Sequence, residues 1–82
     1  MAHHILVLPS QLGLVLQAAR KKAGMSQEEL ATKIGVSQSR MSAMELDPGS
    51  ISVEQLFLLC GALGLEVRVS ERGEVKLGKD EW

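Results

Sequence analysis

Residues 20–45 read Arg-Lys-Lys-Ala-Gly-Met-Ser-Gln-Glu-Glu-Leu-Ala-Thr-Lys-Ile-Gly-Val-Ser-Gln-Ser-Arg-Met-Ser-Ala-Met-Glu. Two glycines and two serines punctuate this stretch. Gly24 ends one amphipathic run and Gly35 ends a second, each at the position where a helix turns left-handed and stops. Ser26 opens the second run as a capping box with Glu29 three residues on. Ser37 opens a third. Leu30, Ala31 and Ile34 supply the buried side of the second run, and Val36 plugs the turn into the core. Met41 and Met44 supply the inward side of the third. Its outward side is then Gln38, Ser39, Ser42 and Ala43.

Working outward, Pro9-Ser10 starts an earlier helix whose apolar stripe is Leu12, Val15, Leu16 and Ala19. Lys21 and Lys22 fall in its last turn, where cations suit the helix dipole. Ile5–Leu8 is β-prone and short, either a strand or an ordered arm. Asp47-Pro48-Gly49 is a turn. Ser52 caps a fourth helix carrying Leu56, Leu59, Cys60 and Leu63, and Gly64 stops it. Beyond Gly64 the period drops to two: Leu65, Val67 and Val69 alternate with Glu66, Arg68 and Ser70. A turn at Glu71-Arg72-Gly73 follows, then Val75 and Leu77, as in a β-hairpin. Residues 78–82 form a polar tail. The expected fold is mainly α, one domain over residues 1–82. A helical core at 10–64 contains a helix-turn-helix, and a small β-element at 65–77 serves dimerisation.

Eighty-two residues bury a modest core, so a second subunit adds needed stability. Aromatics are 2% of the chain, so that core is aliphatic. A single cysteine, Cys60, excludes an intramolecular disulfide and a cysteine zinc cluster, as suits a reducing cytosol. No signal peptide is read, because Pro9 cuts short the apolar run Ile5–Leu8, and no stretch approaches the length of a membrane span. The expected location is therefore cytoplasmic.

A helix with small polar side chains outward, set on a glycine turn, fits the major groove of double-stranded DNA. Gln38 offers an amide for a bidentate pair with adenine, and Ser37, Ser39 and Ser42 offer hydroxyls. Ala43 offers a methyl for thymine. Gln27 stands at a helix N-terminus suited to phosphate. Lys21, Lys22, Lys33 and Arg40 are candidate phosphate contacts, Arg40 foremost because it lies on the third helix. Arg20 and Glu45 end two different helices in apolar surroundings and are expected to form a structural ion pair. The formal net charge of −1 argues against a strong electrostatic footprint. Its distribution is uneven: residues 18–45 hold five basic side chains against three acidic, residues 46–82 four against seven. DNA affinity should then be moderate and strongly salt-dependent. Nothing supports catalysis: there is no phosphate loop, carboxylate pair or triad. Cys60 sits on an apolar stripe without a histidine near it in sequence. His3 and His4 lack a third ligand, so no metal and no cofactor is expected.

Arg20, Gly24-Met25-Ser26-Gln27, Leu30-Ala31, Ile34-Gly35-Val36-Ser37-Gln38, Met41-Ser42 and Glu45 resemble the xenobiotic-response-element helix-turn-helix family, of Cro and phage-repressor type. The match covers about residues 10–64 and departs at Leu46-Asp47-Pro48-Gly49, where the family has a shorter turn. The whole architecture, with its tail ending Glu81-Trp82, is similar to HipB-type antitoxins. That resemblance implies a homodimer with β-strands from both subunits, here through Leu65, Val67 and Val69. It implies repression of its own operon at an inverted-repeat operator, and binding to a HipA-type serine/threonine kinase toxin. Two alternatives stand beside it. One is a phage-type or restriction–modification controller repressor. The other is an interaction module that neutralises a kinase without significant DNA binding.

Overall fold

The computed structural model describes residues 3–72. Helix α1 spans Pro9–Lys22, α2 Gln27–Ile34, α3 Gln38–Leu46 and α4 Val53–Leu63, with one 3-10 turn at Pro48–Ser50. The caps form where local sequence places them. Ser26, Ser37 and Ser52 each accept from the backbone N–H three residues on, Glu29, Arg40 and Gln55 respectively. The Glu29 and Gln55 side chains return the bond to Ser26 N–H and Ser52 N–H. Helix α1 lacks such a serine. Gln11 Oε1 instead accepts from Val7 and Leu8 N–H, at 2.6 and 2.8 Å, and ties the preceding arm to the first turn.

The turn between α2 and α3 depends on Gly35, which sits at φ +82°. Its left-handed conformation lets Val36 N–H reach back to the Ala31 carbonyl at 2.9 Å and turns the Val36 side chain onto the core. The same closure recurs where Met25 N–H meets the Arg20 carbonyl and Leu65 N–H meets the Cys60 carbonyl. Met25 and Leu65 pack on the core as well.

The core consists of Leu16, Leu30, Ala31, Met41, Met44 and Leu59, all but sealed from solvent. Helix α2 packs on α3 and α4, and α1 packs on α3 and on the Pro48–Ser50 turn. That last contact depends on a glycine in the middle of α1. A Cβ at Gly13 would lie 2.6 Å from the Glu45 carbonyl oxygen and 2.7 Å from Pro48 Cγ. Only a bare Cα lets α1 approach the end of α3 and the buried Pro48 ring this closely.

The expected β-element is not confirmed. Among the described residues no strand forms: residues 65–71 are irregular and so is the Ile5–Leu8 arm, whose side chains are exposed. Leu65 does not share a free face with Val67 and Val69. It is the apolar residue that closes the end of α4, half-buried against its own core. Val67 and Val69 are 46% and 96% exposed. The second half of the hairpin and the tail at 78–82 lie outside the described residues.

Candidate nucleic-acid interface

Helix α3 is anchored through its inward side. Met41 and Met44 are buried, while Gln38, Ser39 and Ala43 are exposed and Ser42 is half-exposed. At about 100° per residue, Gln38, Ser42 and Leu46 line up along one edge of the outward face. Leu46, 85% exposed, was not anticipated as part of it. Beside this edge runs an open groove between α1 and α3, lined by Ser10, Leu14, Gln17, Gln27, Ser42 and Leu46 among others.

Glu45 joins three helices. Its carboxylate accepts from Arg20 Nε at 2.6 Å, from a terminal nitrogen of Arg20 at 3.2 Å and from Gln27 Nε2 at 3.0 Å. Arg20 also donates to the Met25 carbonyl at 2.9 Å. The two charged side chains are 9% and 5% exposed. Burial pushes the Glu45 carboxyl up, but the hydrogen bonds from Arg20 and Gln27 and the charges of Arg20 and Lys21 outweigh it, so its pKa falls below the ordinary value. Arg20 and Glu45 thus hold α1 against α3. Gln27 is drawn into the same cluster through its amide nitrogen, at the start of α2, where the first backbone N–H groups have no partner within the helix.

Arg40 departs from the expectation of a phosphate contact. Its guanidinium turns away from the outward face and donates to Ser50 Oγ at 3.1 Å, the Ser50 carbonyl at 2.8 Å and Gln55 Oε1 at 3.0 Å. The reason is angular: two residues beyond Gln38, a side chain stands about 200° around the helix, over the start of α4. Ser37 likewise has its hydroxyl oxygen occupied by Arg40 N–H. Lys33, at the end of α2, is exposed. The structure therefore gathers Gln38, Ser39, Ser42 and Ala43 on one surface, with Gln27 beside it, and sets Arg40 apart. Burial raises the pKa of the Cys60 thiol, the opposite of what a nucleophile needs. Among the described residues no group of three or more His, Cys, Asp or Glu is placed to hold a metal ion, and no helix is long and apolar enough to cross a membrane.

This arrangement matches a family model described as helix-turn-helix over residues 16–69. Antitoxin HipB of Escherichia coli O6:H1, strain CFT073, is 32% identical over 63 residues, covering 77% of this chain and 67% of that protein. The chain belongs to the HipB family of helix-turn-helix antitoxins. Two solved structures share the fold of this HipB-family chain. One is a HipB-O1-O2 complex, with TM-score 0.76 and 28% identity over 84% of this chain and all of that one. The other is a HipA-HipB-O2-O3 complex, with TM-score 0.77 and 27% identity over 85% of this chain and 99% of that one.

Proposed function

We propose that the protein is a sequence-specific DNA-binding repressor, the antitoxin of a HipA-type serine/threonine kinase, acting as a homodimer on an inverted-repeat operator in its own promoter. The observation that carries this is the outward face of α3. Gln38, Ser39, Ser42 and Ala43 are presented to solvent by a helix whose other sides are fixed, without charged side chains competing for that surface. Similarity to HipB chains solved in HipB-O1-O2 and HipA-HipB-O2-O3 complexes supports both partners. In this reading the protein binds rather than catalyses, needs no cofactor, and works in the cytoplasm where its operator lies. The Glu45 cluster sets the pose of α3, and Gln27 with the N-termini of α2 and α3 meets phosphates, which position the protein without reading sequence. Dimerisation places the two recognition helices on successive major grooves, so half-sites are spaced by about 10 bp or a multiple.

The test is fluorescence anisotropy with duplexes tiled across the promoter of its reading frame, against scrambled duplexes. Gln38→Ala and Ser42→Ala should each lower operator affinity by about 5- to 150-fold, the loss of one good base contact, and leave thermal unfolding unchanged. Unaltered operator affinity in both variants refutes the assignment of this face. Co-expression with a HipA-type kinase tests the second partner: growth arrest by the kinase should be relieved by the antitoxin, and failure of relief removes the antitoxin part.

A further inference from the structure

Arg40 is a long cation on the recognition helix, yet among the described residues its three hydrogen bonds run to the segment that starts α4. Its acceptors are themselves fixed. Ser50 Oγ donates to the Asp47 carbonyl at 2.8 Å. Gln55 Oε1 also accepts from Ser52 N–H at 3.1 Å, while Gln55 N–H is held by Ser52 Oγ. One planar guanidinium thus bridges α3, the Pro48–Ser50 turn and the capping box of α4. A lysine ammonium presents a single point with no fork and cannot meet the same three acceptors. Arg40 lies next to Ser39 in sequence and two residues from Gln38 and from Ser42, so any rotation of α3 about its axis moves all three.

We infer that Arg40 is a positioning residue for operator recognition, locking the rotation of α3 through the N-terminus of α4 rather than neutralising a phosphate. This rests on the repressor reading above. The two roles differ in what they do to sequence discrimination. A phosphate contact holds every duplex alike, and its loss lowers the slope of log K against log salt by about 1 per contact. A lock on helix rotation acts only where base edges are read.

The decisive variant is Arg40→Lys, which keeps the charge and loses the fork. Operator and scrambled duplexes are titrated over a salt series, at a temperature where circular dichroism shows the variant fully folded. Arg40→Lys should lower the ratio of operator to scrambled affinity by about tenfold, the scale of one misplaced base contact, with scrambled affinity and salt slope unchanged. Gln55→Ala, which removes an acceptor without changing charge, should lower the same ratio, and combining the two should cost little more than either alone. The inference is overturned if Arg40→Lys keeps the wild-type ratio, or if Arg40→Ala weakens both duplexes equally with a shallower salt slope. It is overturned equally if Gln55→Ala leaves the ratio intact. Wild-type protein with no preference for its operator fails the repressor reading instead. Amide exchange in the free protein then still decides the coupling: Arg40→Lys should speed exchange in α3 and the 47–52 turn while α1 is unaffected, and uniform or absent change removes the lock.

Discussion

Replacing Glu45 by Gln is the most direct perturbation of the frame that carries α3. The substitution keeps the shape and removes the charge. In the folded protein Glu45 faces the Arg20 guanidinium over two contacts, at 2.6 and 3.2 Å, and accepts a third bond from Gln27. Arg20 is 7% exposed, so water cannot replace the lost carboxylate. Breaking a buried pair by removing one partner costs about 3–5 kcal/mol. Gln retains one acceptor oxygen and Arg20 retains the Met25 carbonyl, so the expected loss is near the lower end, about 3 kcal/mol. For a domain of this length that lowers Tm by about 12–24 °C. Urea unfolding followed by circular dichroism at fixed protein concentration, at pH 7, measures it. The pH dependence has a definite sign. Glu45's folded pKa is depressed, so its contribution is present above its unfolded pKa and is lost as pH falls through the folded one. The gap between wild type and Glu45→Gln should therefore be full at pH 7 and narrow as pH falls below the ordinary carboxylate range toward the depressed folded pKa. Joint replacement, Arg20→Leu with Glu45→Leu, should recover most of the stability, since a buried pair is often matched by well-packed apolar side chains. A Glu45→Gln protein within 0.5 kcal/mol (about one tenth of a marginal domain's stability) of wild type at pH 7 would refute the reasoning.

Three further outcomes are expected. Gly13→Ala, though favoured by about 1 kcal/mol of helix propensity, should destabilise by about 1–3 kcal/mol of overpacking, because its Cβ meets the Glu45 carbonyl and Pro48; unchanged or raised Tm would show that α1 and the turn can part freely. Val67→Asp should weaken dimerisation in sedimentation equilibrium and reduce operator binding while leaving the helical core folded, since Val67 contributes nothing to the described core; a fully dimeric variant rules out this segment as the interface. Ser37→Ala should lower stability by about 1 kcal/mol through its lost bond to Arg40 N–H, read as a Tm shift, and a wild-type Tm would mean that the cap bond is already exchanged for water.

The helices and their ends were legible because they are local. Each serine cap and its partner are three residues apart, and each glycine stop reads off its own left-handed conformation. The inward residues of α3 followed from helical period alone. Arg20 and Glu45 were legible as charges in apolar surroundings at two helix ends. Two features were out of reach because the residues involved are distant in sequence. Gly13 is needed because of Pro48, and Arg40 is diverted by Ser50 and Gln55. Neither partner shares a helix with the residue it constrains. Leu65 carries two signals at once. Alternation of Leu65, Val67 and Val69 is strand-like, but the first of them also follows a left-handed glycine, and the helix-closing contact with the core takes precedence.

The two charged residues of α3, Arg40 and Glu45, are both turned into internal contacts, one toward α4 and the other toward α1 and α2. The face that remains is neutral. Attraction to phosphate must then come from helix N-termini and from lysines outside α3. The two N-termini are unequal. The first turn of α2 carries Glu28 and Glu29, with Glu28 exposed, whereas the first turn of α3 carries no acid. An anion is therefore better received at Gln38 and Ser39 than at Gln27. That places the more favourable helix end for an anion on the same turn as Gln38, the side chain proposed to read a base. Because a phosphate bound there fixes only the end of α3, the rotation of the helix about that point must be set from inside the protein. Glu45 and Arg40, at opposite sides of the helix, are the residues placed to set it.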